Sequence, residues 1–365
     1  MPRSTTTQPL TRRPLVRVLA PAATLAALLL AGCSGGGASA PPAAQQSPIT
    51  NPDQSAFAGF HQAPSAKAAA EGVKDDVCSP TAEPEATGPV TVEHARGVTE
   101  VPADAKRIVV LDSDKLDSLC ALGLQDRIVG TATGTDGAAP SYLGPTIAGL
   151  PSVGPFATPN LEQIAGLEPD LIIGTNFRQE KFYDQLAATA PTVFTANVGK
   201  TWKENVLLDG KAVNRGKAAE KLMADYEQAT AEMKTKVDAA RTLSVTRFMG
   251  EDIRVYGPDS FVGQVLADSG VTRPEPQLLE GKDDKRFTKV STEDLSVTDG
   301  QVMAVCAYGQ AGRDKAAEVT KSALWSNQQV VKSGNVWSVS DAVWMTGIGV
   351  VGAKGVLTDL DEMLV

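Results

Sequence analysis

Residues 209–240 carry no strand signal, and this one interval constrains the fold more than any other stretch of the chain. Within it Ala219, Leu222, Met223, Tyr226, Met233, Val237 and Ala240 recur at spacings near three and four, which predicts one amphipathic helix, interrupted at most near Gly216. At about 1.5 Å per residue such a helix is roughly 45 Å long, enough to cross from one lobe to another. On either side the pattern is different. Residues 107–111, 127–131, 170–174 and 192–195 read as strands, and 114–122, 158–167 and 181–188 as helices. Strand signals return at 244–249, 253–256, 302–307 and 336–339, before a last helix over 346–364. Such alternation predicts parallel sheets covered on both faces. The expected fold class is therefore α/β: two Rossmann-like lobes, 89–208 and 242–365, joined by one long rigid helix over 209–241.

The two halves share a local pattern. Glu162 stands ahead of the strand that starts at Leu171 by the same interval that separates Glu293 from the strand starting at Val302. Each glutamate is expected in the first turn of a capped helix, with Thr158 or Asn160 and Ser291 as candidate caps. Taken alone, either acid would simply complement a helix dipole.

The N-terminus specifies a compartment. Arg3, Arg12, Arg13 and Arg17 precede an apolar run over 19–30, which ends in Leu30-Ala31-Gly32-Cys33. A basic region, a short hydrophobic stretch and small residues form a secretory signal over 1–32. The run is shorter than the roughly 20 residues of a spanning helix. From Ser34 to about Gly88 the chain is rich in Gly, Ala, Pro, Ser and Gln, and is expected to be a flexible tether (33–88) reaching about 40 Å from its anchor. The formal charge is −9, and the leader holds four arginines and no acid, so the mature chain is more acidic still. Nucleic acid is excluded as a partner, since its affinity rests on clustered Lys and Arg. Beyond Cys33, three cysteines remain, and an oxidising exterior favours one disulfide. Pairing of Cys78 with Cys120 would staple the arm to the first helix, leaving Cys306 as a buried thiol; three free thiols is the alternative.

These features resemble the type 2 family of periplasmic binding proteins, which take up ferric siderophores, haem and vitamin B12. The resemblance is carried by Lys106-Arg-Ile-Val-Val-Leu111 with Leu119-Cys-Ala-Leu-Gly-Leu124, by 160–175, by Val255-Tyr-Gly-Pro-Asp-Ser-Phe261 with Gly263, and by 324–337 through Trp344. Within the family the chain is most similar to ferric-citrate and siderophore lipoproteins of actinobacteria. The ending Leu-Ala-Gly-Cys resembles a lipobox, implying cleavage before Cys33 and a lipid on its sulfur. The resemblance further implies an extracytoplasmic monomer anchored to the cell membrane, with no resident cofactor. It implies a small-molecule iron chelate as ligand, held in the cleft between the lobes, and an ABC permease that receives Glu162 and Glu293 as docking charges. Haem, cobalamin, or an interaction role without transport are the alternatives. Arginine suits an anionic chelate through its planar donors, and Tyr and Trp offer stacking faces. Residues at the carboxyl ends of strands or in nearby loops are the candidates: Arg178, Trp202, Tyr256, Ser260, Arg286, Tyr308 and Trp344. Trp337, on an apolar strand, is assigned to the core.

Other chemistries find little support. His61 and His94 are the only histidines, too few for the imidazole-rich sites of transition metals. Gly347-Ile-Gly-Val-Val-Gly352 has dinucleotide-loop spacing but no room behind it for a second strand, so close helix packing is the better account. There is no G-x-S-x-G elbow, and no catalytic constellation is expected.

Overall fold

The structure is a computed structural model and describes residues 55–134 and 137–365. The leader, Cys33 and the tether as far as residue 54 lie outside the described residues. Among the described residues, thirteen strands follow in chain order: β1 His61–Gln62, β2 Val90–His94, β3 Gly97–Val101, β4 Ile108–Val110, β5 Ile128–Thr133, β6 Ser152–Pro155, β7 Leu171–Thr175, β8 Thr192–Thr195, β9 Leu243–Phe248, β10 Ile253–Tyr256, β11 Phe287–Val290, β12 Val302–Ala307 and β13 Val336–Ser338. The helices used below are α1 Pro64–Glu71, α2 Ser113–Ala121, α3 Leu161–Gly166, α4 Trp202–Ala212, α5 Gly216–Lys236, α6 Phe261–Asp268, α7 Gly309–Val319 and α8 Val350–Leu364.

Each lobe has its own sheet, and β2 and β3 form a separate antiparallel pair. The N-lobe sheet runs β6-β5-β4-β7-β8 and is parallel throughout; the C-lobe sheet runs β1-β13-β12-β9-β10-β11, with β10 alone antiparallel to its neighbours β9 and β11. Strands buried on both faces read as continuous apolar runs, as Leu171-Ile-Ile-Gly-Thr175 does here. Alternate residues divide between two cores. Ile108, Val110, Leu171 and Ile173 face a helical layer that also receives Val245, Val302 and Ala304 of the C-lobe. Val109, Leu111, Ile172 and Phe194 form a core on the outer face of the N-lobe sheet. Phe248, Ile253, Met303 and Trp325 do the same for the C-lobe.

The strand-free interval is helical, and the interruption allowed near Gly216 is present: α4 gives way to α5 there. Asn214 adopts a left-handed φ of 57° between α4 and α5, and its side-chain amide donates to Ala86 O (2.9 Å) and Ala103 O (2.8 Å). A Cβ on Gly210 would lie 2.4 Å from that of Ala219, so glycine lets the two helices close up. At about 1.5 Å per residue, α5 alone spans roughly 30 Å.

Helix α2 is buried along its whole length, although it carries Asp114, Lys115 and Asp117. Lys115 Nζ lies 2.6 Å from Asp114 and 3.5 Å from Asp209 of α4. Burial works against the ammonium charge, but the two acids outweigh it and its pKa is raised.

The expected flexible tether ends earlier than residue 88. Phe57 is buried against Phe248, β1 adds a parallel edge strand to β13, and α1 packs on α8. Cys78 and Cys120 are disulfide-bonded, and Cys306 is a buried free thiol. The arm's Ala- and Pro-rich composition concealed this. Ala63 and Ala66 are fully buried, because small side chains let the arm lie close on α8.

Candidate ligand cleft

At the carboxyl ends of the N-lobe strands, three residues assemble around one guanidinium. Asp112 follows β4 and caps α2, its Oδ1 accepting from Ser113 N (2.9 Å). Its Oδ2 lies 3.0 Å from Arg178 Nε, and Phe156, which follows β6, lies under the guanidinium at 4.8 Å. Buried Gln179 fixes the arrangement. Its Oε1 accepts from Thr175 N (2.8 Å), and its Nε2 donates to Leu111 O (3.0 Å) and Phe156 O (2.7 Å), tying β4, β6 and β7 together. Burial pushes the Asp112 carboxyl up to about 7 even though Arg178 opposes the rise. Near neutral pH the arginine charge is therefore only partly compensated.

The C-lobe holds a counterpart. Arg247 stands near the carboxyl end of β9 and clasps Asp341, which follows β13, through Nε (2.6 Å) and Nη2 (2.7 Å). Its Nη1 donates to Tyr256 Oη (3.0 Å), and its guanidinium carbon is 4.9 Å from the centre of the Tyr308 ring. Burial disfavours the cation, but Asp341 more than compensates and keeps Arg247 charged.

Between the lobes, a cavity of about 350 Å³ is lined by Phe177, Asn197, Lys200, Asp259, Asp284 and Arg286. Lys200 Nζ meets Asp259 at 3.0 Å across the gap. Gln264 Nε2 donates to Lys200 O (3.0 Å), and Arg286, paired with Asp284 at 2.7 Å, lies 5.8 Å from the exposed Phe177 ring.

Deeper in, the lobes are clasped. Ser113 Oγ donates to Thr346 O (2.8 Å), and Asp117 of α2 accepts from Val351 N (2.9 Å), Gly352 N (2.8 Å) and Tyr142 Oη (2.5 Å). A helix N-terminus is a natural anion site, and here the anion is the protein's own carboxylate. The 347–352 glycines make that approach possible: a Cβ on Gly349 would sit 2.3 Å from Asp117 Oδ1, and one on Gly347 would sit 2.4 Å from Tyr142 Oη. Close packing is indeed their role. Burial raises the Asp117 carboxyl to about 6.

Of the seven ligand candidates, Arg178, Tyr256, Arg286 and Tyr308 belong to these groups. Three do not. Trp202 is fully buried in the helical layer, edge-on to Tyr226 and Phe261, because the first turn of α4 points inward. Ser260 is the N-cap of α6, its hydroxyl accepting from Gly263 N (3.0 Å) and donating to Gly257 O (2.6 Å). Trp344 is buried in a π-helical turn and donates to Asp359 (2.7 Å). Trp337, assigned to the core, is half-buried under the His61 ring at 4.7 Å. Glu162 is exposed in the first turn of α3, capped by Asn160, whose Oδ1 accepts from Gln163 N (3.1 Å). Glu293 is exposed too, but in a turn rather than a helix: Ser291 Oγ accepts its N–H (3.1 Å), and only a three-residue 3-10 turn follows. Sequence reasoning missed Asp112, Phe156, Phe177, Gln179, Arg247 and Asp341. A usable signal existed for one of them, a lone arginine within the otherwise uncharged strand Leu243–Phe248.

Two α/β lobes with separate sheets, a helix pair between them and stacked arginines at the strand ends define a two-lobed solute-binding protein. The chain belongs to the periplasmic binding protein family, whose pattern matches residues 108–342. Among curated proteins it is 38% identical over 282 residues to the "Probable siderophore-binding lipoprotein YfiY" of Bacillus subtilis, covering 74% of this chain and 86% of that one. It is 26% identical over 268 residues to the Fe(3+)-citrate-binding protein YfmC of the same organism, covering 72% and 82%. Among solved structures, Staphylococcus aureus SirA complexed with staphyloferrin B superposes with a TM-score of 0.65 at 28% identity, covering 75% of this chain and 98% of SirA.

Proposed function

We propose that this protein is the extracytoplasmic substrate-binding lipoprotein of an ABC importer, and that it captures a ferric siderophore for iron uptake. The observation that carries the reading is the pair of arginines, one per lobe, each lying against an aromatic ring beside a strand-end aspartate. An anionic chelate with a flat periphery matches that chemistry: planar donors meet its oxygens, and rings face its ligand arms. The reading is supported by the names of its relatives, a probable siderophore-binding lipoprotein and an Fe(3+)-citrate-binding protein, and by the likeness to SirA complexed with staphyloferrin B. Cys33 carries the membrane anchor. Exposed Glu162 and Glu293, one on each lobe, present two charges whose spacing reports lobe position to the permease. The protein binds and releases its ligand without transforming it.

The test is a titration of the chain lacking residues 1–33, followed by tryptophan fluorescence. A panel of ferric citrate, ferric hydroxamates, ferric catecholates, the iron-free chelators, haem and cobalamin should give saturable quenching with at least one ferric chelate at sub-micromolar concentration. Saturation by cobalamin or haem alone would remove the siderophore assignment while leaving the fold untouched. Replacing Glu162 and Glu293 together by Ala should leave the titration unchanged and abolish iron uptake by cells. Lost binding in that variant would refute the docking role.

A further inference from the structure

The N-terminal arm is fastened to both lobes. On the C-lobe side, β1 pairs with β13, Ser340 N donates to Ser65 Oγ (3.0 Å), and Ser65 N donates to Asp359 of α8 (2.8 Å). On the N-lobe side, Asp76 Oδ1 accepts from Thr146 N (3.0 Å) and Cys78 is joined to Cys120. Ser79 N then donates to Cys120 O (3.1 Å), and Ala82 N to Leu122 O (3.0 Å). Only the stretch from Gly72 to Asp75 lies between the two sets of fastenings, and Lys74 and Asp75 on it are exposed. Beneath it lies a cavity of about 570 Å³, with an apolar lining that includes Ala69, Val73, Tyr142, Ala148, Val343 and Val351, set among α1, the 141–148 segment and α8. On this flank the arm crosses from one lobe to the other over the cavity, outside the clasp that Asp117 makes with the start of α8.

We propose that the arm is a strap that limits how far the lobes separate, with the Cys78–Cys120 bond as its buckle. Four extended residues span at most about 14 Å, so the lobes cannot part further without unwinding α1 or tearing Ser65 from Asp359. A chain held near its closed arrangement loses less of its binding free energy to reorganisation, and it releases ligand more slowly. The effect on ligand release rests on the binding function proposed above; the limit on lobe separation does not.

Two variants of the mature chain test the strap. One carries six Gly/Ser residues inserted between Gly72 and Val73, which slackens the arm but keeps the disulfide and every anchor. The other is C78S/C120S. Spin labels on Lys181→Cys in the N-lobe and Lys332→Cys in the C-lobe report lobe separation by pulsed electron resonance. The native chain should give a narrow distance distribution. The slackened chain should add longer distances and release ferric citrate about fivefold faster. C78S/C120S should behave the same way, and if it does not fold the insertion alone decides. A slackened chain whose distances superimpose on the native ones would overturn the strap. Broadened distances in a chain that binds no ferric chelate would uphold the strap and defeat the binding function instead.

Discussion

The two cleft arginines occupy comparable places but are held very differently. Arg247 has Nε and Nη2 on Asp341, Nη1 on Tyr256 and one face against Tyr308, with 9% of its side chain exposed. Arg178 reaches Asp112 through Nε, rests on Phe156, and is 27% exposed. A guanidinium with every edge engaged is a structural element, whereas one held by a single edge keeps donors for a guest. On the proposed reading, Arg247 is a fixed platform and Arg178 the adjustable contact.

The largest effect is expected where the platform is broken. Arg247→Ala strands Asp341 in a largely dry site, and removing one partner of a buried pair costs about 3–5 kcal/mol. Chemical denaturation should show that loss, and Arg247→Lys should recover only part of it, since an ammonium cannot make the two-pronged clasp. A loss below about 1 kcal/mol would mean Arg247 is no more committed than Arg178.

The lobes meet through Asp117, and the next test acts on that clasp. Its carboxyl rises from an ordinary 3.8 to about 6 on folding, so between those values the folded chain holds a proton that the unfolded chain has released. Its contribution is therefore greatest at acid pH and declines as the pH rises from about 4 to about 6. Asp117→Asn removes this dependence. The stability of the native chain relative to the variant should fall by up to about 3 kcal/mol across that window. Urea denaturation at intervals between pH 4 and 7 measures the difference; a flat difference would show that Asp117 titrates normally.

The lobes were legible in the sequence because continuous apolar strands separated by helical periods leave few alternatives, as 171–175 and 302–307 illustrate. The helix break falls beside Gly216, where the sequence allowed an interruption, but its left-handed turn at Asn214 was not legible, because it depends on carbonyls at Ala86 and Ala103, far away along the chain. Nor was the burial of α2: Ser-Asp-Lys-Leu-Asp reads as a solvated face until Asp209, Tyr142 and the amides of 351–352 arrive as partners. The site divided along the same line. Arg178 and Tyr308, singled out because they follow strands, lie in the two arginine groups at the strand ends. Trp202 and Trp344 were misplaced because a large aromatic near a loop satisfies a core as readily as a cleft.

Arg178→Ala should lower ferric-chelate affinity by 10- to 100-fold, about 1.5–3 kcal/mol for a charged hydrogen bond, as read by titration. Its stability cost should be small at pH 5.5, where Asp112 takes up a proton, and should grow toward pH 8, because Asp112, already at about 7 beside Arg178, then has no cation to offset its charge.

The smallest effect separates the two rings. Phe156→Leu keeps apolar volume but removes the face under Arg178, and should weaken chelate binding by about 0.5–1 kcal/mol. Tyr308→Leu removes the face under Arg247, whose orientation Asp341 fixes independently, so its effect on affinity should be smaller still. Equal losses at the two rings would show that both arginines meet the ligand directly, and the division into platform and adjustable contact would fail.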